Sequence, residues 1–148
     1  MKIFYKTGNV VECSEKAILH GCNAQGVMGS GVAKAIKEKY PEAFSKYRKR
    51  QETSGLNLGD CIVAIGSDGK YIFNAITQEF YGKDGKRYLN YEALYNVLTG
   101  VNFAARQADI ESIAMPKIGS GLAGGSWNII QSMIEETSTD YKPIVYSI

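Results

Sequence analysis

Apolar residues recur along this 148-residue chain in two rhythms that replace each other. Short, unbroken apolar runs of strand length occupy residues 17–22 (AILHGC), 61–65 (CIVAI), 71–76 (YIFNAI), 112–116 and 143–148. Between them, apolar positions fall at helical intervals: Val32, Ala33, Ile36 and Tyr40, then Ala43, Phe44 and Tyr47 after the interruption at Pro41. Tyr91, Leu94, Tyr95, Leu98, Val101 and Phe103 repeat that spacing despite Gly100. Period two or continuous runs suit strands, whereas intervals of three and four put side chains on one helix face. The pattern predicts an opening strand at residues 1–5, with Val10 and Val11 resuming extended structure after Gly8-Asn9. It also predicts a helix or helix pair from Val32, and a hairpin of the 61–65 and 71–76 strands around Gly66-Ser67-Asp68-Gly69. A long helix follows from Tyr91, then a helix capped by Ser126 and running to Glu136, and a closing strand.

Strands that alternate with helices predict an α/β fold, with a mixed, mostly parallel sheet covered on both faces in three α/β/α layers. No repeat or linker divides the chain, so residues 1–148 are expected to form one domain. Ligands of such sheets collect where strands hand over to helices. Two glycine-rich segments occupy such handovers, residues 23–31 and 119–125.

Composition narrows the function only by exclusion. Hydrophobic residues make up 45% and charged ones 22%, the balance of an ordinary globular protein. Lys and Arg exceed Asp and Glu by only 17 to 15, which argues against holding a nucleic acid by charge. The basic run Lys46 to Arg50 contains Tyr47 and reads as the solvated face of a helix. Cys13, Cys22 and Cys61 are far apart and there is one histidine, a set that supports neither a disulfide framework nor structural zinc. No cofactor is expected either. Reduced cysteines, no spanning apolar stretch and no signal-peptide pattern together predict a cytoplasmic protein away from membranes. A monomer is expected.

The glycine segments either only make tight turns or carry the chemistry, and two of them together favour the second. Each follows a strand and opens a helix, so free backbone N–H groups and the positive end of a helix dipole can face one small anion. Glycine permits close approach and the positive φ of an anion nest. Ser30 and Ser120 stand at matching central positions, and two such loops can clamp a diphosphate. Gly119, Gly121 and Gly124 match the dinucleotide fingerprint, but that motif belongs after a first strand, and only one helix and one strand remain here. His20, two residues before Asn23, is either a structural histidine or an acid, base or nucleophile at the mouth of the anion site. The Asn23 amide can donate to a ribose hydroxyl or a phosphate oxygen. Trp127 reads as a packing residue, Tyr146 as either core or a neighbour of a base, and Lys83, Asp84 and Glu79 as surface.

At His20-Gly21-Cys22-Asn23, Met28-Gly29-Ser30-Gly31-Val32-Ala33 and Met115-Pro116-Lys117-Ile118-Gly119-Ser120-Gly121-Leu122 the chain closely resembles a macro domain. The likeness extends over essentially its whole length. Within that family it is most similar to the small stand-alone branch of yeast-type ADP-ribose 1″-phosphate phosphatases and terminal ADP-ribose protein glycohydrolases. The resemblance implies an ADP-ribose pocket, with Asn9 and Val10 at the adenine end and Tyr146 nearby. Gly29, Ser30, Gly31 and Val32, with Ile118, Gly119, Ser120, Gly121, Leu122 and Ala123, would wrap the diphosphate and distal ribose. It also implies that glycohydrolases of this branch carry a lysine where Gln78 stands and an aspartate where Ala123 stands. The expected activity is therefore hydrolysis of ADP-ribose 1″-phosphate to ADP-ribose and phosphate, with His20 and Asn23 as catalytic residues and no metal. The alternatives are removal of ADP-ribose from modified macromolecules, and non-catalytic reading of ADP-ribose.

Overall fold

A computed structural model describes residues 1–148. Its elements run β1 (Phe4–Thr7), β2 (Ala17–Asn23), α1 (Gly31–Lys39), α2 (Pro41–Thr53), β3 (Cys61–Ile65) and β4 (Tyr71–Gln78). Then come α3 (Tyr91–Gln107), β5 (Ser112–Met115), α4 (Trp127–Thr137) and β6 (Lys142–Ser147). The six strands form one sheet in the order β1-β6-β5-β2-β4-β3, and β3 alone runs antiparallel to its neighbour. This is the three-layer, mostly parallel arrangement that the alternating pattern predicts.

Helices on both faces explain why the central strands read as unbroken apolar runs. Leu19, Phe73 and Ala75 pack toward α3 and α4, in a core with Leu94, Leu98, Ile130 and Ile134. Their neighbours Ile18 and Ile72 point the other way, toward Ile36 and Tyr40 of α1 and its cap. The stripe Ala93, Leu94, Val97, Leu98, Val101 and Ala105 of α3 is buried at helical spacing, and Gly100 lies on the exposed side. Each large member of that stripe contributes roughly 1.5 to 3 kcal/mol of burial. Asn90 starts α3 by accepting from the Ala93 N–H at 2.9 Å. Pro41 opens α2, where its missing N–H has no helical partner to lose.

Two local expectations are corrected. Val10 and Val11 do not continue a strand: residues Val10–Glu12 form a short 3-10 turn, and both valines are 5% exposed. Both valines pack into the same cluster as Ile36 and Tyr40, and since adjacent residues on a strand point to opposite faces, burial on one side calls for a curled backbone. Ser126 occupies the cap position of α4, but its hydroxyl makes no capping bond. Its N–H donates instead to the Tyr91 hydroxyl at 2.8 Å. The basic run on α2 follows its expectation, with Tyr47 fully buried and Lys46, Arg48, Lys49 and Arg50 exposed. No helix is long and apolar enough to cross a membrane, and all three cysteines are free.

Candidate active site

The carboxyl ends of β5, β2 and β4 lie side by side. From β2 the chain departs toward β3 and β4 on one side, and β5 and β6 fill the other, so the β2–β5 boundary is a switch point with an open crevice above it. A cavity of about 490 Å³ occupies that crevice. The two glycine segments form opposite walls: Gly29, Ser30, Gly31 and Val32 on one side, Ile118, Gly119, Gly121, Leu122 and Ala123 on the other, with His20 and Asn23 at the strand end below. Eleven of the fifteen site residues expected from sequence therefore line one space.

The first wall is fixed by side chains. Asn23 Oδ1 accepts from the Gln25 N–H at 2.9 Å and the Tyr47 hydroxyl at 3.0 Å, and its Nδ2 donates to the Val27 carbonyl at 2.8 Å. Tyr47 also donates to the Asn23 carbonyl at 2.7 Å, and Arg48 reaches the Gly26 carbonyl at 3.3 Å. Asn23 thus spends most of its amide on the loop. In return the N–H groups of Met28, Gly29 and Ser30 have no internal acceptor, and those of Gly31, Val32 and Ala33 open the first turn of α1. Ser30 precedes α1 in an extended conformation and makes no capping bond, so its hydroxyl is free as well. Gly31 adopts φ +60°, which turns the chain from loop to helix.

The second wall is fixed by backbone. Ser120 N–H and its hydroxyl both turn back to the Lys117 carbonyl, at 3.2 and 2.7 Å. Gly124 N–H donates to the Gly121 carbonyl at 3.0 Å and Gly125 N–H to the Gly119 carbonyl at 2.8 Å. Left without internal acceptors are the N–H groups of Gly119, Gly121, Leu122 and Ala123. Two rows of amide donors thus border one cavity, an arrangement suited to a small polyanion.

His20 is 1% exposed, and its Nε2 lies 2.6 Å from Asn74 Oδ1. Asn74 in turn donates from Nδ2 to the Ala43 carbonyl at 3.2 Å, which leaves Oδ1 as the acceptor and places the imidazole proton on Nε2. Burial drives the His20 pKa down to about 4, against the opposing pull of that hydrogen bond. The ring is neutral at pH 7. Burial also pushes the Cys22 thiol, 3.7 Å from His20 Nε2, well up, so it is an inert neighbour. No carboxylate lines the cavity, and Lys117 is the only lysine or arginine that does.

Four expected residues stand outside the cavity lining. Asn9 caps the 3-10 turn, its Oδ1 accepting from Val11 N–H at 3.1 Å, and Val10 is buried behind it. Ser120 faces away toward Lys117. Tyr146 donates to Glu15 Oε1 at 2.6 Å, and Lys6 reaches the other oxygen of the same carboxylate at 2.9 Å. Burial works to raise the Glu15 pKa, and these two hydrogen bonds hold it below its usual value. Trp127 packs against the core, its Nε1 donating to the Tyr5 hydroxyl at 3.2 Å.

The sequence reading missed Gly21, Thr77, Tyr81, Gly82 and Lys117, all of which line the cavity. The first four depend on β2 and β4 being neighbours, which pairing of Gly21 with Ala75 establishes. The available signal was the general rule that all central strand ends of an open α/β sheet face the crevice.

The model of the macro domain family matches residues 19–134, a span that includes both walls and the floor. The chain belongs to the macro domain family. This macro domain is 28% identical over 150 residues to the human ADP-ribose glycohydrolase OARD1, covering 99% of the chain and 92% of that relative. It is 28% identical over 135 residues to a DNA ADP-ribosyl glycohydrolase of Mycobacterium bovis, covering 89% of the chain. The chain spans only 37% of that relative's length. Among solved structures, the macrodomain of Thermus aquaticus DarG superposes with a TM-score of 0.84 at 26% identity, covering 99% of the chain and 98% of the other.

Proposed function

We propose that this macro domain binds ADP-ribose in the cavity between its two glycine walls and hydrolyses the terminal phosphate of ADP-ribose 1″-phosphate, giving ADP-ribose and inorganic phosphate. The observation that carries the reading is the pair of unbonded amide rows, Gly29 to Ala33 and Gly119 with Gly121 to Ala123, lining one space. Amide donors of this kind suit a diphosphate. They also suit phosphoryl transfer, where catalysis is mainly positioning and stabilisation of charge on phosphate oxygens rather than proton abstraction.

The side chains support the same choice. Gln78 is neutral and donates to the Phe80 carbonyl at 2.7 Å, and Ala123 offers no functional group. The lysine and aspartate that the resemblance assigns to glycohydrolases at these places are therefore absent. In this proposal water attacks phosphorus, the bond between phosphorus and the 1″ oxygen breaks, and the amides of the first wall take the developing charge. His20 is the only imidazole or carboxylate base lining the cavity and is the candidate to receive the water proton at Nδ1, from its neutral form, and to return it to the leaving 1″ oxygen. Asn23 holds the first wall in shape.

A second reading, release of ADP-ribose from a modified macromolecule, is favoured by the glycohydrolase activities of the two relatives above. It would use a water held by the ligand itself. The discriminating measurement supplies ADP-ribose 1″-phosphate and an ADP-ribosylated protein or DNA in parallel. The proposal expects phosphate release from the first and no ADP-ribose release from the second; the reverse result replaces it. His20→Ala is expected to bind ADP-ribose and lose most turnover, and unchanged turnover would remove His20 from the mechanism.

A further inference from the structure

Three buried side-chain oxygens in the molecule have no hydrogen-bond partner: Glu42 Oε1, Tyr141 Oη and Thr77 Oγ1. Of these residues only Thr77 lines the cavity, and it is 1% exposed. A buried hydroxyl without a partner is unfavourable, so its persistence at a ligand cavity points to a partner that arrives with the ligand. Thr77 stands at the end of β4, one strand over from Gly21. A Cβ placed on Gly21 would sit 3.1 Å from Thr77 Oγ1 and 3.5 Å from Ile118 Cγ1. The missing side chain at position 21 therefore leaves a slot with one polar wall, the Thr77 hydroxyl, and one apolar wall, Ile118. Gly21 does not have a positive φ, so its value here is the space and not the backbone angle.

We propose that Thr77 is a specificity-determining residue: its hydroxyl donates to an oxygen of the distal ribose unit of the ligand, seated in the slot over Gly21. The inference rests on the ADP-ribose reading above and adds to it a donor that separates ribosylated diphosphates from plain ones. ADP offers its diphosphate to the two amide rows but has nothing to fill the slot.

Calorimetric titration of the full chain with ADP-ribose and with ADP tests this. Thr77→Val keeps the shape and removes only the hydroxyl. It is expected to weaken ADP-ribose binding by about tenfold and leave ADP binding unchanged, the scale of one lost hydrogen bond. Its melting temperature should stay level or rise, because an unpartnered buried hydroxyl has been removed. Thr77→Ser should retain wild-type selectivity. Gly21→Ala, which fills the slot, should reproduce the selective loss. Equal weakening toward both ligands, or no weakening toward either, would overturn the assignment. A wild type that shows this selectivity yet releases no phosphate from ADP-ribose 1″-phosphate would overturn the phosphatase reading alone.

Discussion

The two walls of the cavity present the same chemistry, a row of free amides, and reach it by different physics. In the first, residues 23–31, distant side chains reach in: the Tyr47 hydroxyl and the Asn23 amide hold the backbone, and α1 begins where they stop. In the second, residues 116–125, the chain folds on itself through backbone bonds, and its glycines are packed rather than pinned. A Cβ on Gly124 would lie 2.8 Å from the Lys86 carbonyl, and one on Gly125 2.7 Å from the Gly119 carbonyl. Gly31 and Gly121, the glycines nearest the middle of each row, have nothing within 4 Å of where a Cβ would stand. Glycine therefore serves two purposes at this site: packing at the base of the second wall, and access at the rims of both.

The strongest break of the comparison is Gly125→Ala. Its methyl would meet Gly119 O, the acceptor of Gly125 N–H itself, and Leu89 at 2.5 Å. Overpacking against backbone should destabilise the domain by about 3 kcal/mol, measured by denaturant unfolding. Loss of less than about 0.5 kcal/mol would show that the second wall yields easily and is not set by packing.

These differences decide what could be read in advance. The second wall was legible because its determinants are local: Gly119-Ser120-Gly121-Leu122-Ala123-Gly124-Gly125 announces a glycine loop before a helix. The hairpin of β3 and β4 was legible for the same reason, and Gly69 supplies its positive φ of 84°. The first wall was only half legible. Asn23 looked like a ligand donor, yet most of its hydrogen bonds close the loop, and its partner Tyr47 lies 24 residues on. Helical spacing marks Tyr47 as buried but cannot say where its hydroxyl goes. Thr77 and Gly21 form a slot only across the β2–β4 pairing, a relation that no local pattern encodes.

The second test uses pH, since the floor under the first wall contains His20. The unfolded chain binds a proton at His20 below about pH 6.5, while burial in the folded state delays protonation to about 4. The stability owed to a neutral His20 is complete above pH 6.5 and is lost as pH falls toward 4, at about 1.4 kcal/mol per pH unit. At pH 5 the deficit relative to pH 7 is about 2 kcal/mol. His20→Gln should flatten this part of the profile in urea unfolding measured from pH 7 to pH 4.5. An equal slope in wild type and variant would mean that other groups govern acid sensitivity, and that the floor does not single out the first wall.

The smallest effect is the most diagnostic of how the first wall is held. Tyr47→Phe removes a hydroxyl that donates to the Asn23 carbonyl at 2.7 Å and to its Oδ1 at 3.0 Å, and leaves a ring of the same shape in the core. The net cost to stability should be about 1 kcal/mol. The local cost is larger in consequence, because Asn23 Oδ1 also accepts from Gln25 and Val27, and a side chain freed on one side orients those amides less firmly. Hydrogen exchange should therefore quicken at Gln25 and Val27 and stay at wild-type rates at Ser120, Gly124 and Gly125, whose amides donate within their own loop. Quickening of both walls together would mean that they form one cooperative unit, and that the division between a pinned wall and a packed one does not describe how this site is built.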